Sequence, residues 1–368
     1  MVQTSSNPSK QRPILIGLVP VLAVVGLATY QMMQWIEAPV VSESNHPHSK
    51  IVTIPGGATF QQVAGLLEEE RLIKNRSAFV LLGKSQAVDR KILPGEYELH
   101  AAMPPSEILS KLTAGRVVLH SITIPEGYTI SQIADVLGEY RITDQAEFVQ
   151  LTRDRAFLNK LNISADSLEG YLYPDTYRFA RQTPAKDVIK TMVEQLGQVM
   201  TTEWQAQADQ LHMTMHQVLT LASVIEKETG VGEERPRISS VFHNRLKKNI
   251  PLQSDPTVIY GLPNFDGNLR KKDLSHPSPY NTYRWAGLPP GPIASPGSES
   301  IHAALFPAES SYLYFVSKND GTHQFSATLN EHNKAVERYQ KRPFRRGDDS
   351  QTSISPESSL RAPKAGVS

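Results

Sequence analysis

The alternation of apolar and polar positions divides the chain into segments of different character. Residues 14–36 form an apolar run without a single charged side chain, and about 20 such residues suffice to span a bilayer. The run is longer than the apolar core of a cleaved signal peptide, and Trp35 stands where an interfacial anchor would. Two basic residues precede it and two acidic residues follow it. The pattern predicts an uncleaved transmembrane anchor, with residues 1–13 as a cytoplasmic tail and the body of the protein outside the cytoplasm.

A polar linker at residues 37–50 is followed by an internal repeat. Residues 52–64 (VTIPGGATFQQVA) match residues 122–134 (ITIPEGYTISQIA). In each copy a threonine stands three residues before a glutamine, which is the pattern of a helix capping box. Each copy predicts a strand, a turn, an amphipathic helix, a second helix and a strand. The repeat therefore predicts two tandem α+β modules, at residues 51–116 and 117–200, whose default role is binding or spacing.

An apolar helix that carries two carboxylates is predicted between residues 215 and 230. Apolar positions recur at helical spacing, and Gly230 supplies a stop. At about 100° per residue, Glu226 falls on the rim of the apolar face and Glu228 lies roughly 200° away, so the two are not expected to share a pocket. A carboxyl group against apolar walls has a raised pKa and suits a general acid. From the helix alone, a salt-bridged or solvated glutamate is the simpler interpretation.

The region from residue 251 to residue 307 is rich in proline and glycine, yet too apolar and aromatic for a disordered linker. It predicts stiff loops folded over the rest of a domain at residues 201–342. A tail at residues 343–368 has almost no apolar content and is predicted to be disordered. The other elements predicted in this domain are helices at 233–248, 300–306 and 331–342 and a hairpin over 312–326.

Composition narrows the chemistry that this α+β chain can carry. A net charge of +1 over 368 residues argues against a general nucleic-acid binder. The absence of cysteine excludes disulfides, thiolate catalysis and cysteine zinc sites. The sequence has no HExxH motif, no G-x-S-x-G elbow and no phosphate-binding glycine loop. We therefore expect no metal and no cofactor.

The chemistry that composition and motifs do not exclude is carboxylate chemistry, in a cleft whose walls carry aromatic and amide side chains. Such walls suit carbohydrate, because sugar rings stack on flat apolar faces while hydroxyl groups take hydrogen bonds. The side chains that are expected in the stiff loops are Gln253, Asp255, Tyr260, Asn281, Tyr283 and Trp285.

Several long motifs resemble the endolytic murein transglycosylases, the YceG-like family: LASVIEKETG, SVFHNRL, LQSDPTVIYG and YNTYRWAGLPPGPIASPG. The resemblance covers roughly residues 50–340. It implies a bacterial single-pass inner-membrane protein with a periplasmic body and LysM-like modules. Such proteins cleave β-1,4 bonds between MurNAc and GlcNAc inside nascent peptidoglycan strands, leave 1,6-anhydro-MurNAc ends and so terminate elongation. The resemblance also implies peptidoglycan synthases, including penicillin-binding proteins, as partners.

The resemblance assigns the essential glutamate to Glu226, which would act as general acid and then as base, so that the substrate supplies its own nucleophile. Gln253, Asn281 and Tyr283 are expected to position the substrate or stabilise the oxocarbenium ion. Asp255 is a further substrate-binding candidate. It could instead serve as a base for water, which would make the protein a hydrolytic muramidase. A non-enzymatic glycan-binding scaffold is the other alternative. Glu228 is expected to support packing or a nearby basic residue, and to tolerate substitution better than Glu226.

Overall fold

A computed structural model describes the backbone of residues 13–41 and 48–341, and side chains from residue 21 onward within these ranges. Its first helix, α1, is Pro13–Glu37. Within these described residues, no helix combines the length and the apolar character needed to cross a membrane.

Several sequence predictions fall outside these residues. The cytoplasmic tail predicted at residues 1–13 does so up to its last position, and the tail predicted at 343–368 does so entirely. The early side chains of the anchor predicted at 14–36 and residues 42–47 of the linker predicted at 37–50 lie outside the described part as well.

The chain divides into two compact units. The first comprises Met1–Thr201 together with Ala294–Gly297, and the second comprises Thr202–Ile293 together with Ser298–Ser368.

Two modules of the same construction follow α1 in the first unit. In the first module two antiparallel strands enclose two helices, which confirms the predicted strand–helix–helix–strand order. In the second module the strands enclose three helices, one more than predicted, and a further helix follows the second strand of each module. The first module contains β1 (Lys50–Ile54), α2 (Phe60–Glu69), α3 (Arg76–Ser85), β2 (Gly95–Leu99) and α4 (Pro105–Thr113). The second contains β3 (His120–Thr123), α5 (Ile130–Glu139), α6 (Gln145–Leu151), α7 (Arg155–Lys160), β4 (Thr176–Phe179) and α8 (Ala185–Val199).

The likeness between the modules extends to single hydrogen bonds. Thr59 and Thr129 each close a capping box with the glutamine three residues later. A tyrosine in the second strand of each module donates its hydroxyl to the carbonyl four residues earlier, over 2.8 Å for Tyr97 and 2.6 Å for Tyr177. Buried apolar side chains of both strands and both helices then complete the core of the first module.

Helices dominate the second unit, with one hairpin. The elements are α9 (Thr202–Gln210), α10 (Met215–Glu228), α11 (Arg235–Lys247), α12 (Asp255–Gly261), α13 (Ser298–Leu305), β5 (Tyr314–Ser317), β6 (His323–Ser326) and α14 (Leu329–Val336). The predicted hairpin and helices are thus confirmed. The predicted stiff loops are interrupted by α12, so Asp255 and Tyr260 lie in a helix rather than in a loop.

Helix α10 occupies the centre of this unit. It packs against α9, α11, α12 and α13, and all eight residues from Val218 to Ile225 are buried. The sequence pattern correctly predicts an apolar helix. Burial extends beyond the predicted apolar face, because Leu221 and Val224 are buried as well, whereas Lys227 near the end of the helix is exposed. Glu226 and Glu228 therefore extend into two different enclosed environments.

Candidate active site

Glu228 is the last residue of α10 and lies in a protein-lined polar pocket. Ser254 donates its hydroxyl to Oε1 of Glu228 over 2.5 Å. The pKa of Glu228 is raised to about 7, chiefly by burial. The Ser254 hydrogen bond lowers this pKa, the charge of Asp255 raises it, and the charge of Arg245 lowers it. A carboxyl group with this pKa can both give and take a proton near neutral pH.

The segment that carries Ser254 is fixed by its own sequence. Gln253 adopts a left-handed backbone conformation, with φ at 51°, and its N–H donates to the carbonyl of Thr282 over 3.1 Å. Ser254 donates its N–H to the Thr282 hydroxyl over 3.0 Å, and the Thr257 and Thr282 hydroxyl groups are 2.8 Å apart. Thr282 thus ties the start of α12 to the loop that contains Tyr283.

Asp255 and Tyr283 form a second hydrogen-bonded pair beside Glu228. The Tyr283 hydroxyl donates to Oδ1 of Asp255 over 2.6 Å. Burial, and then the hydrogen bond to Asp255, raises the pKa of Tyr283 well above its usual range, so this phenol keeps its proton and remains a donor. Asp255 itself is exposed at the first turn of α12, where a helix favours negative charge.

Arg245 braces the pocket from α11. Its guanidinium donates to the carbonyls of Leu252 over 2.8 Å and Leu313 over 2.6 Å, and it lies 5.3 Å from the ring centre of Tyr314. Burial lowers the pKa of Arg245. The same side chain therefore holds the loop before Ser254 and places a positive charge near Glu228.

Glu226 lies in a different environment. Its side chain is 8% exposed and meets the Arg235 guanidinium at 3.4 Å. Arg235 also pairs with Glu299. Arg235 and Glu299 line a cavity of about 620 Å³ together with Trp204 and His302. This arrangement corresponds to the salt-bridged glutamate that the helix pattern alone favours.

The structure therefore groups the predicted site residues differently from the sequence. Gln253, Asp255 and Tyr283 are brought together, but around Glu228 rather than Glu226. Glu228 was expected to support packing, but it contacts the loop residue Ser254, because the C-terminal end of α10 packs against α12 and its preceding loop. Asn281 is fully buried, and its amide donates to the carbonyls at positions 274 and 276, which makes it a brace of the loop instead of a wall of the pocket.

Three contributors to the pocket were missed: Ser254, Thr282 and Arg245. Arg245 carried a signal, since it follows Ile238, Val241 and Phe242 at helical spacing and so belongs to the buried face of α11. The sequence also indicated the burial of Glu228, because residues 218–225 contain no charge on any face of the helix. Ser254 and Thr282 had none, because serine and threonine are ordinary in loops.

The chemical content of the site is one buried carboxyl group that titrates near neutrality, with a second carboxylate and a phenol beside it. In the described part of the chain, no group of three or more histidine, aspartate or glutamate side chains is placed to hold a metal ion. Site and fold together define an α+β protein whose candidate chemistry is proton transfer by a carboxyl group.

The family follows from comparison with known proteins. The chain belongs to the YceG-like family, which it matches over residues 52–338; this confirms the resemblance read from the motifs. It is 36% identical over 304 residues to an endolytic murein transglycosylase of Bacillus subtilis (strain 168), covering 78% of this chain and 84% of that protein.

A second relative and a solved structure agree. An endolytic murein transglycosylase of Streptococcus pneumoniae serotype 2 is 28% identical over 363 residues, covering 89% of this chain and 65% of that protein. The chain thus matches just under two thirds of that longer relative. A crystal structure of a YceG-like protein from Listeria monocytogenes superposes with a TM-score of 0.55 at 37% identity, covering 78% of this chain and 99% of that one.

Proposed function

We propose that this protein is a lytic transglycosylase that cleaves murein glycan strands internally, with Glu228 as its acid and base. One observation carries the assignment of the residue: burial raises the pKa of Glu228 to about 7 inside a polar pocket. The relatives named as endolytic murein transglycosylases support the reaction class. The substrate is the β-1,4 bond between MurNAc and GlcNAc in a glycan strand.

The proposed reaction needs one carboxyl group. Protonated Glu228 gives its proton to the glycosidic oxygen as the bond to the anomeric carbon of MurNAc breaks. The C6 hydroxyl of the same MurNAc attacks that carbon, and its proton passes to the Glu228 carboxylate. The products are a strand with a 1,6-anhydro-MurNAc end and a strand with a new GlcNAc hydroxyl. Glu228 returns to its starting state, and no water is consumed.

The neighbouring groups have separate roles in this scheme. Ser254 fixes the carboxyl through Oε1. Asp255, whose charge already acts on Glu228, stabilises the positive charge that develops at the sugar ring. Gln253 is exposed; its Oε1 accepts from Arg245 over 3.4 Å, and its amide N–H groups can donate to sugar hydroxyl groups. Tyr283 keeps Asp255 in place.

A matched pair of variants tests the assignment. Glu228→Gln keeps the shape of the side chain but removes the proton, so cleavage of uncross-linked glycan strands should fall by about two to four orders of magnitude. Glu226→Gln makes the same change on the other side of α10 and should leave most of the activity of the folded protein. The hypothesis that Glu226 is the essential residue predicts the reverse, so the pair decides between the two.

A hydrolytic muramidase is the second candidate activity. It is favoured by the carboxylate of Asp255 beside Glu228, because a hydrolase typically needs two carboxyl groups. Mass spectrometry of the new ends separates the reactions. Anhydro ends support the transglycosylase, whereas reducing ends that carry oxygen from labelled water would replace it with hydrolysis.

A non-enzymatic glycan-binding scaffold is motivated by the tandem modules, for which the family resemblance implies a LysM-like character. In that case, cells carrying Glu228→Gln should match wild-type cells in strand length and growth. Longer glycan strands in these cells are expected instead if the protein terminates strand elongation.

We also propose that residues 14–36 anchor the protein in the inner membrane, with the body on the periplasmic side. The support is the uncharged apolar run, its flanking charges and the exposure of apolar side chains along α1, such as Val24 at 66%. Peptidoglycan synthases are the partners that this location and the family resemblance favour. Protease accessibility in spheroplasts tests the orientation.

A further inference from the structure

An exposed tryptophan stands beside the candidate active site. Trp285 is 54% exposed, yet it is held firmly. Its backbone N–H donates to the carbonyl of Asn281 over 3.2 Å, and its indole Nε1–H donates to the carbonyl of Ser278 over 3.2 Å. A large apolar ring that is fixed by hydrogen bonds while its surface faces solvent is unusual for a residue that serves only packing.

The ring lies close to the reacting groups. Trp285 follows Tyr283 by two residues, which is at most about 7 Å of backbone. The hydroxyl of Tyr283 contacts Asp255, whose charge acts on Glu228. The segment that presents the indole therefore adjoins the residues that surround Glu228.

Arg284 adds a positive charge to the same surface. Its guanidinium carbon lies 5.9 Å from the Trp285 ring centre, and Nη1 donates to the carbonyl of Ser275 over 2.9 Å. Arg284 is exposed, and no ion pair joins it to a carboxylate within the described ranges 21–41 and 48–341. Two further exposed cations, Lys271 and Lys272, lie in the same loop region.

We propose that Trp285 and Arg284 form a subsite for a peptide-bearing amino sugar of the glycan strand. The indole takes the apolar face of a hexosamine ring, and the guanidinium takes a carboxylate of the stem peptide. This inference rests on the proposed function, because it assumes that the strand is the ligand of the neighbouring pocket.

Physical reasons favour this ligand. Tryptophan offers a large rigid surface, so little side-chain entropy is lost when a ring stacks on it. The two hydrogen bonds already fix its orientation, which lowers the entropy lost on binding further. A guanidinium matches the planar geometry of a carboxylate. In strands with intact stem peptides the lactyl group of MurNAc is an amide, so the carboxylates are those of the peptide.

Binding to the full-length Glu228→Gln protein tests the tryptophan, because this background does not depend on turnover. The probe is uncross-linked peptidoglycan glycan strands, and the readout is calorimetric affinity. Trp285→Ala should weaken binding about five- to tenfold, and Trp285→Phe should retain most of the affinity. Leu329→Ala removes an equally exposed apolar side chain in the same unit, 55% against 54%, and should have no effect.

The arginine is tested with these peptide-bearing strands and with chitin oligosaccharides, which present the same kind of hexosamine ring but carry no carboxylate. Arg284→Gln should weaken binding of the peptide-bearing strands about threefold at low salt and leave binding of the chitin oligosaccharides unchanged. Lys248→Gln, the loss of an exposed charge at the end of α11, serves as the charge control.

Two results would overturn the subsite. One is equal affinity of Trp285→Ala and the parent protein, provided that circular dichroism and melting temperature match. The other is an Arg284→Gln effect that is as large on the chitin oligosaccharides as on the peptide-bearing strands, which would exclude a contact with a stem-peptide carboxylate. Loss of cleavage in Glu228→Gln is a separate measurement, so the proposed function can stand when the subsite fails.

Discussion

Helix α10 carries two glutamates, Glu226 and Glu228, whose carboxyl groups lie in different environments. Glu228 meets a serine hydroxyl and the field of Asp255, whereas Glu226 meets the Arg235 guanidinium. The first environment leaves the carboxyl group able to exchange a proton near neutrality, and the second neutralises a charge. The neighbours, rather than the residue type, decide which glutamate can do acid–base chemistry.

The raised pKa of Glu228 makes a prediction about stability. The pKa rises from 4.5 to about 7 on folding, so between these values the native state holds more protons than the unfolded state, and wild-type stability falls as the pH rises. Glu228→Gln cannot ionise. It should therefore gain stability over wild type with increasing pH, by up to about 3 kcal/mol above neutrality. Urea denaturation from about pH 4 to about pH 8 measures the difference. Parallel stability curves for the two proteins would contradict the raised pKa.

A second prediction for a single residue follows from the hydrogen bond between Ser254 and Glu228. Its hydrogen bond favours the charged form of Glu228, so Ser254→Ala should raise the pKa of that carboxyl and move the alkaline limb of the pH–rate profile to higher pH. The start of α12 should survive, because Ser254 makes no side-chain capping bond. Ser240→Ala, the same change at a buried serine of α11, should leave the profile in place. An unmoved limb in Ser254→Ala would show that another group controls it.

The sequence predicts how the two glutamates are oriented relative to each other, but not which of them is functional. Helical spacing correctly separates Glu226 from Glu228 by most of half a turn of the helix wheel. It could not say which side is functional, because both sides of α10 are buried. The choice depends on Ser254 and Asp255, which are 26 and 27 residues further along the chain; that contact is tertiary, and no local pattern encodes it.

At the scale of elements, the loop between the short helical turn Asp273–Ser275 and α13 is a braced structure. Asn281 donates to the carbonyls of Leu274 over 3.0 Å and His276 over 2.8 Å. Its side-chain oxygen accepts the N–H of Tyr283 over 3.0 Å. One buried amide thus shapes the segment that presents Tyr283 and Trp285.

Replacing Asn281 distinguishes a brace from a ligand-binding group. Asn281→Asp keeps the acceptor for Tyr283 but loses both donors, and it should reduce stability by about 2 kcal/mol, because buried carbonyls lose their partners. Amide exchange at Tyr283 and Trp285 should become faster, which hydrogen-exchange mass spectrometry detects. If Asn281 instead binds substrate, the variant will exchange like wild type and show only a raised KM.

Helices and strands that are marked by a capping or turn motif in the sequence were predictable. The capping boxes at Thr59 and Thr129 and the turn at residues 319–321 mark helix starts and a hairpin, and all are present. Helix α12 was not predicted, because its seven residues lie in a proline-rich stretch and begin with Asp-Pro. That dipeptide is compatible with both a turn and a helix start, and only the packing of Val258 in the core selects the helix.

At the scale of the whole molecule, the two modules of the first unit share a buried polar contact. Glu96 of β2 is 8% exposed. It accepts from the Arg181 guanidinium over 2.8 Å and lies 2.7 Å from Nε2 of His120. Both partners belong to the second module, so one carboxylate of the first module connects to two places in the second.

Glu96→Gln should loosen this connection. The loss of the carboxylate leaves Arg181 and His120 with a weaker partner and should cost about 1–2 kcal/mol, since Arg181 is itself 42% exposed and partly screened. Calorimetry of the full-length protein should show a broader or earlier unfolding transition of the first unit. Glu98→Gln, an exposed position on the same strand, is the matched control. Identical melting of the two variants would mean that the contact adds no stability.

The burial of residues 218–225 on every side of α10 also constrains how this protein can evolve. A one-residue insertion within the helix turns everything beyond it by about 100°. In a helix with a solvent-facing side, some such turns bring polar residues to the surface and are tolerated. In α10, every turn drives a new side chain into packed neighbours and carries Glu228 away from Ser254. Length variation among descendants of this chain should therefore accumulate in the exposed segment at residues 262–272, while the length of α10 remains fixed.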